Sequence, residues 1–470
     1  MISQQIVSML DEVLTAKCVK ANIPGMALIM SQNGHSIYEK YYGYRDVGKK
    51  LPVNRDTIFG VASITKSLTA LAVMQLEDAG KLSVDDQMIQ WLPELQLPNQ
   101  QYREKVKIHH LLSHTSGLPG MSAVNCARAN SILNDPHGEY LSDRLSLLSN
   151  YRKIITVKEL MEIMGETEYS LLGPPGSIFN YSNESYALLQ EIIERASGES
   201  FITYVQKNIL QPLGMNRSFF LTSDLKNIEN VTELYAYRRE EDGLSVFHSP
   251  AWWDVGDIYS NGSLKTSSLD LMKYLDVFRL GGTVKGEKII SKASVLKMTS
   301  AQAIMPTGDR YGYGLKVDCL SGMNIIGHGG SIKGVSSYIK VAKEQDITVS
   351  VLINIAEADA ESMAFASLNH GLQMPDVIDR EFTEYKLSEE QLKSFIGLYQ
   401  SAEGQKAEIL LNDNGIHIKI QKNLVRLKPY TIDSFMTPRG EKIKFIINDI
   451  GIVIGLFKGN RFIPKIFPCI

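Results

Sequence analysis

The sequence predicts an α+β fold (α/β in the broad sense): an antiparallel sheet flanked by helices, a mostly helical lobe inserted in the middle, then a small all-β unit. Three observations carry this prediction. Strand-like apolar runs lie near both ends of the first 378 residues, with helical, loop-rich sequence between them. A long helix with an apolar stripe follows the first strands. Beyond about residue 385 the pattern is strands alone. The expected domains are 1–378 and a smaller, barrel-like 385–470.

The elements follow in order. "MISQQIVSMLDEVLTAKCVKANIPG" reads as an amphipathic helix; it has no basic stretch followed by an apolar run and so is not a signal peptide. In "GMALIMSQNGHSIYEKYYGY" two apolar runs flank Asn33-Gly34, a strong hairpin signal. In "GVASITKSLTALAVMQLEDAG" Leu68, Leu71, Ala72, Leu76 and Ala79 recur at helical spacing and Gly80 is a natural stop. Strands are expected from Ser336 and from Ile347, and a helix over 361–372. "DREFTEYKLSEEQLKSF" reads as a linker running into a short helix. "AEILLNDNGIHIKIQK" is a second Asn-Gly hairpin, and "IKFIIND" and "GIVIGLFKGNRFIPKIF" supply further strands.

Composition narrows the function. Of 470 residues 44% are apolar and 21% charged, enough for a sizeable core. The net charge is -3 and the basic residues do not cluster, so no nucleic-acid partner is expected. Cys18, Cys126, Cys319 and Cys469 have no metal-ligand or C-x-x-C spacing and read as free thiols in a reducing compartment. The longest apolar runs are strand-sized, so no membrane span is expected. The expectation is a soluble, cytoplasmic protein, although a trimmed signal peptide would leave the same sequence.

Three local motifs carry chemistry. Ser63 and Lys66 stand one turn apart where the helix begins. A lysine of lowered pKa can take a serine's proton, and a helix start favours a developing oxyanion. The spacing alone says little, because Ser223/Lys226, Ser294/Lys297 and Ser337/Lys340 share it. Only Ser63/Lys66 opens a long apolar helix; the plainer alternative is a helix cap beside a solvated lysine. Tyr181-Ser182-Asn183 follows a Pro-Pro-Gly turn; a tyrosine near an ammonium can act as base and acid, and an asparagine can bind an amide. The tripeptide recurs at Tyr259-Ser260-Asn261, and a turn with a cap explains it equally well. His328-Gly329-Gly330 precedes a strand, where glycines allow close backbone approach. The N–H of Ser331 would pair with that of Ser63 as an oxyanion hole; a plain hairpin turn is the alternative.

Together and in this order the motifs resemble the serine β-lactamase and penicillin-binding-protein superfamily. The resemblance is closest to the branch of class C β-lactamases, D-alanyl-D-alanine carboxypeptidases, D-aminopeptidases and esterases. It covers most of 1–375, including "IHHLLSHTSGLPG", "QPLGMNRSFF", "SNGSLKTSSLDLMKYL" and "YGYGLKV". It implies Ser63 as nucleophile, Lys66 as its activator and Tyr181 as general base and acid. Asn183 would contact substrate, with His328, Gly329, Gly330 and Ser331 along the strand edge. It also implies a small-molecule or peptide substrate, no cofactor and no metal, and it leaves the oligomeric state open. The C-terminal strands resemble lipocalin-like barrels appended to some members, with a role as lid, dimer contact or support left open.

Two departures bear on the substrate. Penicillin-directed members carry K-T-G, whereas His328 occupies the lysine position; Lys333 is the nearest cation in the sequence. His-Gly-Gly looks more like the peptidase, amidase and esterase branch. A long segment, 121–160, stands before the Tyr181 motif, either roofing the site or decorating it. His109, His110 and His114 lack the H-E-x-x-H glutamate and are expected to bond backbone rather than metal. Trp252 and Trp253 are either a cleft wall or core.

Overall fold

A computed structural model describes residues 3–121, 123–137, 152–240, 243–374, 383–401, 403, 406–412, 415–420, 423–438 and 440–467. Four expected features fall partly or wholly outside them: the middle of the 121–160 segment, the start of the linker at 379, the tip of the second Asn-Gly hairpin, and Cys469.

A nine-stranded antiparallel sheet forms the centre. Its order is Ala303–Ile304, Arg310–Tyr311, Lys316–Leu320, Met323–Ile332, Val335–Ala342, Ile347–Ile353, Gly25–Gln32, His35–Asp46 and Leu51–Pro52. The distant strands meet in its middle, with Met26 opposite Ile353 and Gln32 opposite Ile347. Asn33 and Gly34 both take positive φ, 54° and 76°, as the tight hairpin turn requires.

Strand period sorts the core into two faces. Met26, Leu28 and Met30 pack with Leu10 and Leu14 of the helix Gln4–Lys20 and with Met363 and Leu368 of the helix Ala360–Gly371. Ala27 and Ile29 point the other way, into the cluster that includes the helix Thr65–Asp78.

That helix departs from expectation. Its stripe predicted one buried face, but every residue from Thr65 to Met74 is buried. It lies between the sheet and the helical lobe, so its polar positions are bonded rather than solvated. Tyr274 donates to Ser67 Oγ at 2.8 Å, Ser67 Oγ donates to the Ile64 carbonyl, and Thr69 Oγ1 donates to the Ser260 carbonyl at 2.7 Å.

The C-terminal strands form two antiparallel sheets of four and five strands. Phe395, Tyr399, Ile409, Ile418, Phe435 and Phe445 belong to their shared core. The last strands, Val453–Lys458 and Arg461–Pro464, form a hairpin. Phe457 and Phe462 of this hairpin join a second cluster with Phe179, Tyr181 and Tyr311. The C-terminal strands therefore share apolar core with the Tyr181 motif.

Candidate active site

Strand Ile58–Gly60 runs into a 3-10 turn, Ala62–Ile64, and only then into the α-helix at Thr65. Ser63 thus lies in the tight turn, not in the first turn of the α-helix as its spacing suggested. Thr65 explains this: its Oγ1 donates to the Ala62 carbonyl at 2.7 Å and accepts from the Leu264 N–H at 3.2 Å. Ala62 has φ 44°, a conformation a non-glycine residue rarely adopts, immediately before Ser63.

Lys66 is fully buried, which removes the solvated-lysine alternative. Its Nζ donates to Asn183 Oδ1 at 2.9 Å and the Asn261 carbonyl at 2.7 Å, and lies 3.2 Å from Ser63 Oγ. No ion pair to Lys66 is seen among the described residues. Burial holds its pKa well below the usual lysine range; Arg461 and Arg128 push the same way, while Glu184 and Glu403 oppose them. Two of the three partners are carbonyl oxygens that can only accept. When the amine is neutral, its two N–H bonds can go to these acceptors and its lone pair can face the Ser63 hydroxyl proton.

The second motif meets the first. Ser182 caps the helix Asn183–Ser197, accepting from the Ser185 N–H at 3.1 Å, so Asn183 is free of the capping role and reaches Lys66. The Tyr181 ring centroid is 4.9 Å from Lys66 Nζ and 4.2 Å from the His114 ring. His114 Nδ1 accepts from the Ser182 N–H at 3.1 Å. Burial raises the Tyr181 hydroxyl to about 12, outweighing a side-chain hydrogen bond with Ser63 and the charge of Arg461, which both lower it.

The third motif lies on an open edge. The strand Met323–Ile332 is paired on its outer side only as far as Gly327; His328 to Ile332 pair only inward, with Val335 to Ile339. A Cβ on Gly330 would stand 2.2 Å from the Val61 carbonyl oxygen and 3.0 Å from Ser63 N. Glycine there lets the strand press against the Ser63 turn. Ser331, next along, is exposed. His328 is buried, its Nε2 3.0 Å from Tyr311 Oη and its Nδ1 2.6 Å from the Gly329 carbonyl. The carbonyl needs the proton on Nδ1, so Nε2 accepts from Tyr311 and the ring is neutral. Burial, then the charge of Lys66, pull its pKa down to about 3. Lys333 does not replace the missing cation. It is buried in a pair with Asp135 and also donates to the Ala251 carbonyl at 3.0 Å.

Other candidates separate cleanly. Lys297 pairs with Glu77 and Lys340 with Asp318, so neither serves the serine three residues before it. His109 Nδ1 lies 2.6 Å from Tyr313 Oη, and His110 Nδ1 accepts from the Lys107 N–H at 3.0 Å. Trp253 is buried and donates to Asp135 at 3.0 Å. It packs with Ala129 and Ile132 of the helix Ala123–Leu133, and Ile332 lies against them. The described part of the 121–160 segment therefore flanks the open strand edge.

Sequence reasoning missed three contributors. The second Tyr-Ser-Asn tripeptide looked merely structural, yet the Asn261 carbonyl holds Lys66. Arg461 comes from the last C-terminal strand and Glu403 from between the strands Gly397–Gln400 and Lys406–Asn412: Arg461 Cζ stands 4.6 Å from the centroid of the Tyr181 ring, and Nε donates to Glu403 at 2.7 Å. Only the contact of Tyr181 with a residue 280 positions away reveals them, and nothing local in "FKGNRF" signals it.

The fold and the gathered motifs define a class, the penicillin-binding-protein-like serine hydrolases. The profile of the Beta-lactamase family matches residues 10–371, and the chain belongs to that family. It is 26% identical over 351 residues to Protein flp of Staphylococcus aureus (strain N315), taking in 74% of this chain. The match spans 62% of that relative's length, less than two thirds of it. An octameric penicillin-binding protein homologue from Pyrococcus abyssi superposes with a TM-score of 0.70 at 28% identity, covering 98% of this chain and 100% of that one. A D-stereospecific amidohydrolase from Streptomyces sp. shares the fold with a TM-score of 0.61 at 23% identity, over 77% of this chain and 98% of that one. Among the described residues no helix is long and apolar enough to cross a membrane.

Proposed function

We propose that this chain cleaves an amide or ester bond through an acyl-enzyme on Ser63. The observation that carries the proposal is the buried Lys66, held by Asn183 Oδ1 and the Asn261 carbonyl with its Nζ 3.2 Å from Ser63 Oγ. Ser63 Oγ attacks the carbonyl, and its proton passes through Lys66 and Tyr181 to the leaving amine or alkoxide as the C–N or C–O bond breaks. The N–H groups of Ser63 and Ser331 receive the oxyanion. Water then adds to the ester on Ser63, its proton passing through Tyr181 and Lys66 to Ser63 Oγ as the acyl C–O bond breaks and the acid leaves.

The substrate we favour is a small peptide, a D-amino-acid amide or an ester. Neutral His328 gives no fixed charge for a β-lactam or C-terminal carboxylate, and the open edge from His328 to Ile332 suits a peptide-like backbone. The Streptomyces amidohydrolase on the same fold is in keeping with this reading. The hydrolase domain would be 1–378, and 385–470 a lipocalin-like domain.

A fluorophosphonate probe followed by peptide mass spectrometry tests the mechanism. An adduct on Ser63, absent in Ser63→Ala, with hydrolysis of amide and ester panels lost by about 10³-fold or more in that variant, is the expected result. A wild-type chain with no adduct would be a silent scaffold on this fold. Rapid turnover of a chromogenic cephalosporin would make it a β-lactamase instead.

A further inference from the structure

The strand edge of the site carries no free cation: His328 is neutral, and Lys333 is spent on Asp135. Over the Tyr181 ring stands a guanidinium from the C-terminal hairpin. Arg461 is 15% exposed and Glu403 12%, and Glu403 takes both Nε, at 2.7 Å, and Nη2, at 3.2 Å.

Arg461 is held there by backbone. The Asn460 carbonyl accepts from the Tyr181 N–H at 3.0 Å, and the Phe462 N–H donates to Asn180 Oδ1 at 2.9 Å. The residues on either side of Arg461 are thus bonded to Tyr181 and its predecessor, and Phe457 and Phe462 pack in one cluster with Tyr181. Such a latch fixes the height of the guanidinium over the ring. Lys66 Nζ and Arg461 Cζ both stand within 5 Å of the ring centroid, at 4.9 and 4.6 Å.

We propose that Arg461 is a positioning residue of the hydrolytic site: it supplies from the C-terminal strands the fixed cation that His328 does not, and so keeps Lys66 and Tyr181 ready to release protons. The inference rests on the acyl-enzyme reading above.

The groups facing the pair can be weighed. His114 and His328 are buried and held neutral, so neither contributes a charge. The phenols Tyr186 and Tyr311 are held in their neutral forms too, their pKa values raised by burial. The fixed cations are Arg461 and, from the helix Ala123–Leu133, Arg128. The acidic groups are Glu184 and Glu403, and burial and the charge of Glu403 push Glu184 up to about 7. Arg461 lowers both Lys66 and Tyr181, whereas Glu403 raises both. The two members of one ion pair therefore act on the proton relay with opposite signs.

This gives a test with two directions. The rate of Ser63 acylation by a fluorophosphonate, followed across pH, should rise along a limb as the Lys66–Tyr181 pair loses its proton. Arg461→Met should move that limb to higher pH by about one unit. Arg461→Lys, which keeps the charge, should return it toward the wild-type position. Glu403→Gln should move it to lower pH, and this variant keeps the proposal falsifiable if Arg461→Met does not fold. A wild-type adduct with an unmoved limb in Arg461→Met, or in Glu403→Gln where Arg461→Met does not fold, would overturn this inference and leave the acyl-enzyme standing. Absence of any adduct on wild-type Ser63 would overturn both.

Discussion

Two regions converge on Tyr181 and they are built differently. The Ser63 side is made by backbone set close against backbone, Gly330 against Val61 and Ser63, with Lys66 Nζ held by the Asn261 carbonyl. The C-terminal side is made by a reaching side chain, Arg461, steadied by Glu403 and by two main-chain latches. The first kind of construction tolerates no added atom. The second tolerates exchange of side chains provided charge and latch survive. Geometry should therefore fail first on one side, and electrostatics on the other.

Gly330→Ala probes the rigid side. The added methyl meets the Val61 carbonyl at 2.2 Å and Ser337 Oγ at 2.6 Å, so the strand edge must retreat from Ser63. Misplacement of this order costs about 10²-fold or more in rate. We expect Ser63 acylation to fall by that factor at every pH, with its limb where the wild type has it. A limb that moved instead would erase the distinction between the two regions.

Asn180→Ala probes the latch. Asn180 is buried; its Oδ1 accepts from the Phe462 N–H and its Nδ2 donates to the Leu118 carbonyl at 3.1 Å. Alanine leaves both groups buried without partners, a loss of about 4 kcal/mol in total. Urea denaturation should show it, and hydrogen exchange should quicken in the strand Arg461–Pro464. Unchanged stability would mean that the C-terminal strands are not anchored through this residue.

What was legible follows the same division. The Asn33-Gly34 turn, and the short helix after the linker, were readable because their signals lie within a few residues. Ser63, Lys66, Tyr181, Asn183 and His328 were readable for the same reason, each inside a short motif beside a helix or strand, and the structure brings them together. The burial of the helix Thr65–Asp78 was not readable, since periodicity reports one apolar face and cannot see a second layer covering Thr65 and Thr69. Nor was the pairing of Lys333 with Asp135, 198 positions apart. Arg461 stands after a Gly-Asn turn, where sequence suggests only a solvated hairpin; its role exists only once the chain has folded back 280 residues onto Tyr181.

Glu184 gives the most direct link between the regions. Its carboxyl is buried, accepts from the Val124 N–H at 3.3 Å and from Ser182 Oγ at 3.3 Å, and is raised from 4.5 to about 7 by burial and then by the charge of Glu403. A carboxyl raised in the folded state contributes stability that is whole below about pH 4.5 and is lost as pH climbs through about 7. Glu184→Gln should remove that slope, so the wild type loses on the order of 3 kcal/mol relative to the variant between pH 4.5 and 8. Parallel stability curves would show that the carboxyl does not titrate there. Glu403→Gln sharpens the comparison further. Taking away the neighbouring charge lowers the folded-state Glu184 pKa, so the loss of stability should still begin near pH 4.5 but be smaller and complete at a lower pH than in the wild type. A shift in that direction, produced by a residue of the C-terminal region, would measure the field it exerts on the motif half of the site.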